Sequence, residues 1–565
     1  MLYLLIALVT ALAVWLASRL AQRLRLSRAK HRSLAGHGRI ARRLAALVPA
    51  YEYDVQQFFA ADGAPPAVAA QRRGGFERLA GLFRERFART AAATEAVAPA
   101  LSDLQFTARY RVPFPFSHLV REQLRAGAFV ASSSGVTLTD LDGNVFYDLT
   151  GSYGVNLLGY DFYKECIAAG SERVRALGPV LGPYHPVLAE NVRRLCEISG
   201  LDEVSFHMSG TEAVMQAVRL ARYHTRKRYL VRFCGAYHGW WGDVQPGVGN
   251  PLPARDTFTL KDMHEASLAV LRSRRDIACV LVNPLQALHV NRSAPADSDL
   301  IAARAGAGVD REAYARWLQR LRAVCSARGI VLIFDEIFVG FRLARGGAQE
   351  YFGVRADLVT YGKTLGGGLP VGVLCGRAAY MRRFREERPA DVCLARGTFN
   401  SHPYVMGAMC EFLERFDTEP VRSLYRDLDA TWARRARTLN ERLAAAQLPL
   451  EVAQLSSIWT VNFLKPSRYH WMLQYYLRAE GLALSWVGTG RLIFSLNYSE
   501  QDFEAVAGRF LAAARAMQAD GWWWETPALT APSIRRRLLR ELLQARWGAS
   551  SSTSSMGSMS SPRAR

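Results

Sequence analysis

Short apolar runs alternate with amphipathic stretches between about residues 204 and 375. The runs predict strands at Val204–His207, Tyr229–Cys234, Ala278–Asn283, Val331–Asp335, Leu358–Tyr361 and Val371–Cys375. Between them, helical periodicity predicts helices that include Thr211–His224 and Arg311–Ala327. Strands and helices that alternate in this way are typical of a mostly parallel sheet covered on both faces.

The pattern differs on either side of this region. The alternating run 136–147 predicts a β-hairpin that turns at Asp142-Gly143. After residue 401, the predicted helices are Pro403–Phe416, Leu424–Ala446 and Asp502–Met517, with strands near Trp459–Phe463 and Leu492–Leu496. This later part of the chain therefore indicates a second, smaller α+β domain.

The first 17 residues, Met1–Ala17, carry no charge and are followed by an arginine-rich stretch from Arg19. As a helix they span about 26 Å, slightly less than a hydrocarbon core of about 30 Å. Because the positive charges follow the apolar run, we predict a single-pass anchor with the catalytic part in the cytoplasm, at the inner membrane in a bacterium. The alternatives are a helix that only lies on the membrane, a buried helix and a cleaved signal.

Composition and charge agree with a folded chain beside an anionic surface. Half of the 565 residues are apolar, and 72 basic against 50 acidic side chains leave a net charge of +22. No nucleic-acid-binding motif is visible, so we expect contact with membrane lipid and none with nucleic acid. A coding bias toward arginine is the alternative source of the charge. The eight cysteines lack metal-site spacing, and we expect no metal.

Two motifs could hold a flat anionic ligand. In Ser209-Gly210-Thr211 a strand ends and a helix begins, and free N–H groups at such a turn can bind phosphate. Tyr237 follows the next strand, at the sheet edge where a ring can stack on a planar ligand. Taken singly, the first motif could be an ordinary helix cap and the second a core aromatic residue.

Two further motifs carry charge at strand ends. Asp335 ends an apolar strand, where a carboxylate is costly unless it has a partner. Lys363 enters a glycine-rich turn, and a buried lysine with a lowered pKa can form a Schiff base. A phosphate cradle, a stacking ring, a carboxylate and a lysine together are the groups that hold pyridoxal phosphate.

These motifs, in this order, resemble the class III pyridoxal-phosphate aminotransferases of fold type I, and among them the glutamate-1-semialdehyde aminomutase group. The resemblance covers about Phe114 to Ala519 and implies an α/β fold with a large sheet domain and a smaller α+β domain. The stretch Gly397–Pro403 is similar to the family's threonine motif, in which the threonine reaches the phosphate across a dimer interface. We therefore expect a homodimer with shared active sites.

The resemblance implies that Lys363 forms the Schiff base and moves protons, and that Asp335 pairs with the pyridine nitrogen. Tyr237 and Ile337 would pack on the two faces of the ring, and Gln286 would approach its 3-hydroxyl group. The implied cofactor contacts are Ser209, Gly210, Thr211, Tyr237, Gln286, Asp335, Ile337, Lys363 and Thr398 of the partner subunit.

The leading prediction is an aminotransferase that exchanges amine and carbonyl groups on a hydrophobic or membrane-associated substrate. One alternative is intramolecular amino transfer on glutamate 1-semialdehyde. A membrane-tethered scaffold without activity is the other, and the intact motifs argue against it. Asn283-Pro284 stands where many relatives have Glu-Pro, which weakens any transfer of substrate identity. The donor, the acceptor and the pathway stay open.

We divide the chain into seven predicted segments. They are an anchor (1–18), a basic extension rich in Ala and Arg (19–110), a hairpin segment (111–160), a large cofactor-binding domain (161–400), a small domain (401–520), an aromatic and basic amphipathic tail (521–549) and a disordered serine-rich tail (550–565). In the amphipathic tail, one helical face is predicted to carry Ile534, Leu538, Leu539, Leu542, Leu543 and Trp547. The cluster Trp522–Trp524 and this helix over Ile534–Trp547 could make a second membrane contact. The alternative is that the helix packs on its own domain.

Overall fold

The computed structural model describes residues 2–30, 38–125, 127–245, 249, 254–284, 310–484 and 491–552. The predicted site residue Gln286 and most of the serine-rich tail lie outside these residues. The strands are β1 (Val130–Ser134), β2 (Thr137–Asp140), β3 (Val145–Asp148), β4 (Glu203–His207), β5 (Tyr229–Phe233), β6 (Thr257–Leu260), β7 (Ile277–Val282), β8 (Val331–Asp335), β9 (Leu358–Gly362), β10 (Gly372–Gly376), β11 (Leu450–Leu455), β12 (Ile458–Phe463), β13 (Leu482–Ala483) and β14 (Arg491–Ile493).

The largest sheet has seven strands in the order β4-β10-β9-β8-β7-β5-β6. Strand β10 runs antiparallel to both of its neighbours, and the remaining pairs are parallel. All residues of β7 and β8 are buried, as expected for continuous apolar strands covered on both faces. The predicted mostly parallel sheet is confirmed, with strand ends displaced by about one residue and β6 missed.

The chain contains helices before, between and after the strands of the large sheet. They are Leu2–Ala29, Gly38–Ala45, Val55–Ala60, Pro66–Arg86, Ala88–Val97, Ser102–Tyr110, Ser117–Gln123, Tyr160–Val174, Val187–Ser199, Gly210–Thr225, Glu265–Ser273, Arg311–Arg328, Gly347–Phe352, Ala378–Met381, Pro403–Phe416, Glu419–Ser423, Leu428–Ala445, Leu473–Ala479, Glu500–Ala519 and Ala531–Ser552. The predicted helix Leu424–Ala446 is wrong at its start, because Asp427 has a left-handed φ of 53° and the helix begins at Leu428.

The chain also forms two smaller sheets. The first, β1-β2-β3-β13, contains the predicted hairpin, in which the Asp140 side chain accepts hydrogen bonds from the backbone N–H groups of Asp142 and Asn144. Gly143 takes a φ of 84°, which suits glycine at this turn. The second sheet, β11-β12-β14, belongs to the C-terminal part.

The N-terminal extension packs against the C-terminal part of the chain. The ring of Phe58 lies 6.1 Å from that of Trp471, and Arg72 Nε donates to the carbonyl of Gly521 at 2.9 Å. Trp522 and Trp523 belong to this core, with 0% and 7% of their surface exposed. The expectation that the Trp522–Trp524 cluster contacts a membrane is therefore wrong for these two side chains.

The first helix, Leu2–Ala29, is exposed along its apolar part and fixed at its end. Ala29 is buried, its carbonyl accepts a hydrogen bond from Lys261 N at 2.8 Å, and Lys30 forms a β-bridge with Leu260. Among the described residues this is the one helix long and apolar enough to cross a membrane. Signal sequences can have the same length and apolar composition. The helix thus continues from an exposed apolar segment directly into the folded body.

Breaking one buried ion pair should destabilise the junction between the extension and the C-terminal part. Arg72 pairs with Asp62 at 2.7 Å, and both side chains are almost completely buried. Arg72→Met leaves the Asp62 charge without its partner, so we expect a loss of about 3–5 kcal/mol in the free energy of unfolding. The thermal midpoint of the detergent-solubilised protein measures this loss. Arg442→Met, which breaks the exposed pair with Glu504, should cost under about 1 kcal/mol, and equal shifts would contradict the assignment.

Candidate active site

Two charged residues meet at the carboxyl ends of neighbouring parallel strands. Asp335 is the last residue of β8, and Lys363 directly follows the last residue of β9. The strand register places Asp335 opposite Thr360, three residues before the lysine. The sequence motifs that were predicted to carry charge therefore lie at one edge of the large sheet, where open α/β sheets bind ligands.

Asp335 is buried and held by several partners. Only 4% of its surface is exposed, and its Oδ2 lies 2.7 Å from Nδ1 of His238. Its Oδ1 accepts weaker hydrogen bonds from Ile337 N at 3.3 Å and from the Thr360 hydroxyl at 3.4 Å. These contacts supply the partners that a buried carboxylate requires.

His238 is a site residue that the sequence analysis did not identify. Burial lowers the pKa of its imidazole, and the Asp335 carboxylate opposes this change. Because a carboxylate only accepts hydrogen bonds, the Nδ1–H of His238 donates to Asp335. Its Nε2 is buried and has no hydrogen-bond partner among the described residues. The histidine adjoins Tyr237 in the motif after β5, and that position was the available signal.

Lys363 is a buried amine with an altered affinity for protons. Burial lowers its pKa to about 8, the negative charge of Asp335 opposes this change, and the positive charges of Arg342 and Arg491 add to it. The backbone at Lys363 has a φ of 50°, a left-handed conformation that residues other than glycine rarely adopt. A lowered pKa leaves a larger neutral fraction of the amine, which is the nucleophilic form.

A strained turn lines the same site and was also missed. Ser152 and Tyr153 have φ values of 43° and 57° between two glycines. A Cβ added at Gly154 would lie 3.4 Å from Cδ of Lys363 and would collide with the ring of Phe338. The Lys363 Nζ lies 5.1 Å from the centroid of that ring. The motif Gly151-Ser152-Tyr153-Gly154 could have indicated a turn that approaches another group closely.

The predicted phosphate turn begins a helix. Ser209 caps this helix by accepting a hydrogen bond from Glu212 N at 3.3 Å, and Gly210 is its first residue. A Cβ at Gly210 would lie 2.6 Å from Cδ1 of Ile337, so the turn packs directly beside the residue that follows the Asp335 motif. A Cβ at Gly239 would collide with the hydroxyl of Thr211, which places the turn after β5 against the start of this helix.

Most of the predicted cofactor contacts are thus brought to one place. Tyr237 is 68% exposed, and partial desolvation together with the nearby Asp335 charge raises its pKa. Thr398 is exposed on a turn of the single chain. The predicted Gln286 contact lies outside the described residues.

These residues fit a planar phosphorylated aldehyde with a basic ring nitrogen. A glycine-bearing helix start can receive its phosphate, a buried lysine can react with its aldehyde, and a carboxylate fixed by His238 can hold its ring nitrogen protonated. The orphaned Nε2 of His238 is a buried polar atom of the kind that a bound group satisfies.

Comparison with known proteins agrees with this chemistry. The family described as aminotransferase class-III matches residues 120–513. Glutamate-1-semialdehyde 2,1-aminomutase of Alkaliphilus oremlandii is 34% identical over 309 residues, which cover 52% of this chain and 67% of that protein.

Two solved structures show the same fold. A transaminase with PLP bound is 25% identical with a TM-score of 0.61, covering 77% of this chain and 99% of the other. A glutamate-1-semialdehyde aminomutase from Pseudomonas aeruginosa has a TM-score of 0.62 at 19% identity, covering 79% and 99% of the two chains. The chain belongs to the class III aminotransferase family of fold type I and catalyses pyridoxal-phosphate-dependent amino transfer.

Proposed function

We propose that this enzyme transfers an amino group between a separate amino donor and a hydrophobic carbonyl compound held at a membrane. The observation that carries the substrate class is the exposed apolar helix Leu2–Ala29, whose end is fixed to the catalytic body. A lipid-like aldehyde or amine partitions into a bilayer, so an enzyme anchored there meets it at high local concentration.

The chain's own residues would divide the work of amino transfer. Bound pyridoxal phosphate supplies an electron-accepting ring that stabilises negative charge at the substrate carbon. We assign to Lys363 the attachment of the cofactor and the movement of a proton at that carbon by its neutral amine. Asp335 would stabilise the protonated ring nitrogen, and His238 would hold Asp335 in position through its Nδ1–H.

The remaining predicted contacts would bind and orient the cofactor. We assign the phosphate to Ser209, Gly210 and Thr211 at the helix start, with Thr398 of the partner subunit completing the contact. Tyr237 and Ile337 would contact the two faces of the ring, and Gln286 its 3-hydroxyl group. A homodimer with shared sites is part of this proposal, as is a cytoplasmic catalytic domain.

Intramolecular amino transfer is the second candidate function. It is favoured by the relatives that are named glutamate-1-semialdehyde 2,1-aminomutase at 31–34% identity. An aminomutase moves nitrogen within one molecule, whereas a transaminase takes it from a donor. The origin of the nitrogen in the product therefore separates the two candidates.

Replacing the Asp335 carboxylate should impair turnover more than cofactor binding. In Asp335→Asn a neutral amide cannot hold the ring proton, so we expect bound cofactor but a rate at least about 100-fold lower. The rate at which an amino donor changes the absorbance of the bound cofactor measures this effect. Thr360→Val, which removes only a 3.4 Å hydrogen bond to the same carboxylate, is the matched control. Near-normal rates in Asp335→Asn would remove Asp335 from its role.

Two inactive subunits should complement each other if the sites are shared. A heterodimer of Lys363→Ala and Thr398→Ala subunits contains one hybrid site that carries neither substitution. We expect about half of the normal activity per dimer, because one of two sites is intact. Each homodimer alone is the control, and a verified heterodimer without recovered activity would contradict a shared site.

Removing the anchor should separate the chemistry from access to the substrate. Deletion of residues 2–18 leaves Leu26 and Ala29 on the body, so the catalytic part should keep its cofactor. With a nitrogen-15-labelled amino donor, we expect labelled product from short aldehydes in both proteins. With a long-chain aldehyde in vesicles, we expect much more labelled product from the full chain.

Three results would contradict this proposal in different ways. Product without label would favour intramolecular transfer. If the full chain fractionates away from membranes, the first helix is not a membrane anchor. If the deletion leaves the turnover of every substrate unchanged, the anchor has no role in access to the substrate.

A further inference from the structure

The outer face of the C-terminal helix carries a row of exposed apolar side chains. Leu539, Leu543 and Trp547 have 57%, 39% and 66% of their surfaces exposed. They are four residues apart, and such residues lie on one face of a helix. The sequence alone assigned Ile534, Leu538 and Leu542 to the same face, but Ile534 is buried and the other two are half-buried.

Contacts on the opposite, inner face of the helix keep these three side chains directed outward. Glu541 pairs with the buried Arg468 at 2.8 Å, and Tyr53 donates a hydrogen bond to Glu541 at 2.5 Å. Ile534 is 2% exposed on the same side. The helix cannot rotate to bury its outer residues without breaking these contacts.

A second segment extends the apolar area. The helix Gly38–Ala45 and the turn that follows it expose Ile40, Leu44, Leu47 and Val48. The two segments are joined where Arg546 Nη1 donates to the carbonyl of Leu47 at 3.2 Å. We call these four residues together with Leu539, Leu543 and Trp547 the outer surface. Scattered apolar residues are common on protein surfaces, whereas a larger exposed apolar patch is typical of an interaction site.

Charge identifies the kind of partner. Arg43, Arg536 and Arg540 are exposed beside the apolar residues. Glu541 is the one acidic residue between positions 531 and 547, and it faces inward in its pair with Arg468. Apolar side chains flanked by arginine suit the headgroup region of an anionic bilayer, where aliphatic and tryptophan side chains enter the boundary and arginines meet phosphates.

The position of the outer surface agrees with that partner. Gly38 follows Lys30 by eight residues, so it lies within about 28 Å of the fixed end of the first helix. We propose that the outer surface is a second membrane contact, which holds the catalytic body against an anionic bilayer and limits its rotation about the anchor. This inference rests on the membrane anchoring proposed above.

Lipid-borne quenching tests the proposal in the full chain. Leu543→Cys is labelled with an environment-sensitive fluorophore and reconstituted into vesicles that carry a spin-labelled lipid. The vesicles contain phosphatidylcholine alone or with phosphatidylglycerol. Seven of the eight native cysteines are buried, and the unsubstituted chain measures background labelling. Val145→Cys, at an exposed apolar position of the hairpin, is the matched control.

We expect severalfold stronger quenching at position 543 than at position 145 in vesicles with phosphatidylglycerol. Adding Arg536→Glu and Arg540→Glu should reduce that quenching. Equal quenching at both positions would overturn the proposal. A blue-shifted but unquenched label at position 543 would also overturn it, because a second protein copy would then cover the surface.

Flotation of the vesicles at high salt separates this proposal from the anchor. If the chain floats while the label at position 543 stays unquenched, the anchor is supported and the outer surface is not a membrane contact. If the label is quenched at low salt but the chain fails to float at high salt, the outer surface is supported and the first helix is not an anchor. If the chain neither floats nor is quenched, both proposals are wrong.

Discussion

The burial of one positive and one negative charge at the same sheet edge constrains the whole site. Lys363 loses proton affinity because it is removed from water, and Asp335 partly restores that affinity. The carboxylate in turn depends on His238, whose ring is itself buried. Strands β8 and β9 must therefore keep their register, since a slip of one residue would turn the Asp335 side chain to the other face of the sheet.

The sequence predicted the parts of this site that are carried by strong local patterns. Apolar strands with a polar residue at the end indicated Asp335 and Lys363, and the small residues after β4 indicated a helix start. It did not predict His238, because the bond to Asp335 spans 97 residues, or the strained turn at Ser152 and Tyr153. Which side of the C-terminal helix faces the body also depends on distant partners, such as Arg468 for Glu541.

The N-terminal helix and the catalytic body are one structural unit. Helix Leu2–Ala29 ends in backbone contacts with Leu260 and Lys261, next to the edge strand β6 of the same sheet that carries the active site. An anchor attached in this way would orient the sheet edge relative to a bilayer, which a long flexible linker could not do. The outer surface would add a second fixed point, so that access to Lys363 would be set by geometry as well as by tethering.

Mapping the cofactor attachment tests the central assignment most directly. The protein is incubated with pyridoxal phosphate, reduced with borohydride and digested, and mass spectrometry locates the modified lysine. We expect the modification on the peptide that contains Lys363, and we expect Lys363→Ala to abolish it. Modification of a different lysine in the active protein, or an unchanged adduct in Lys363→Ala, would contradict the assignment of Lys363.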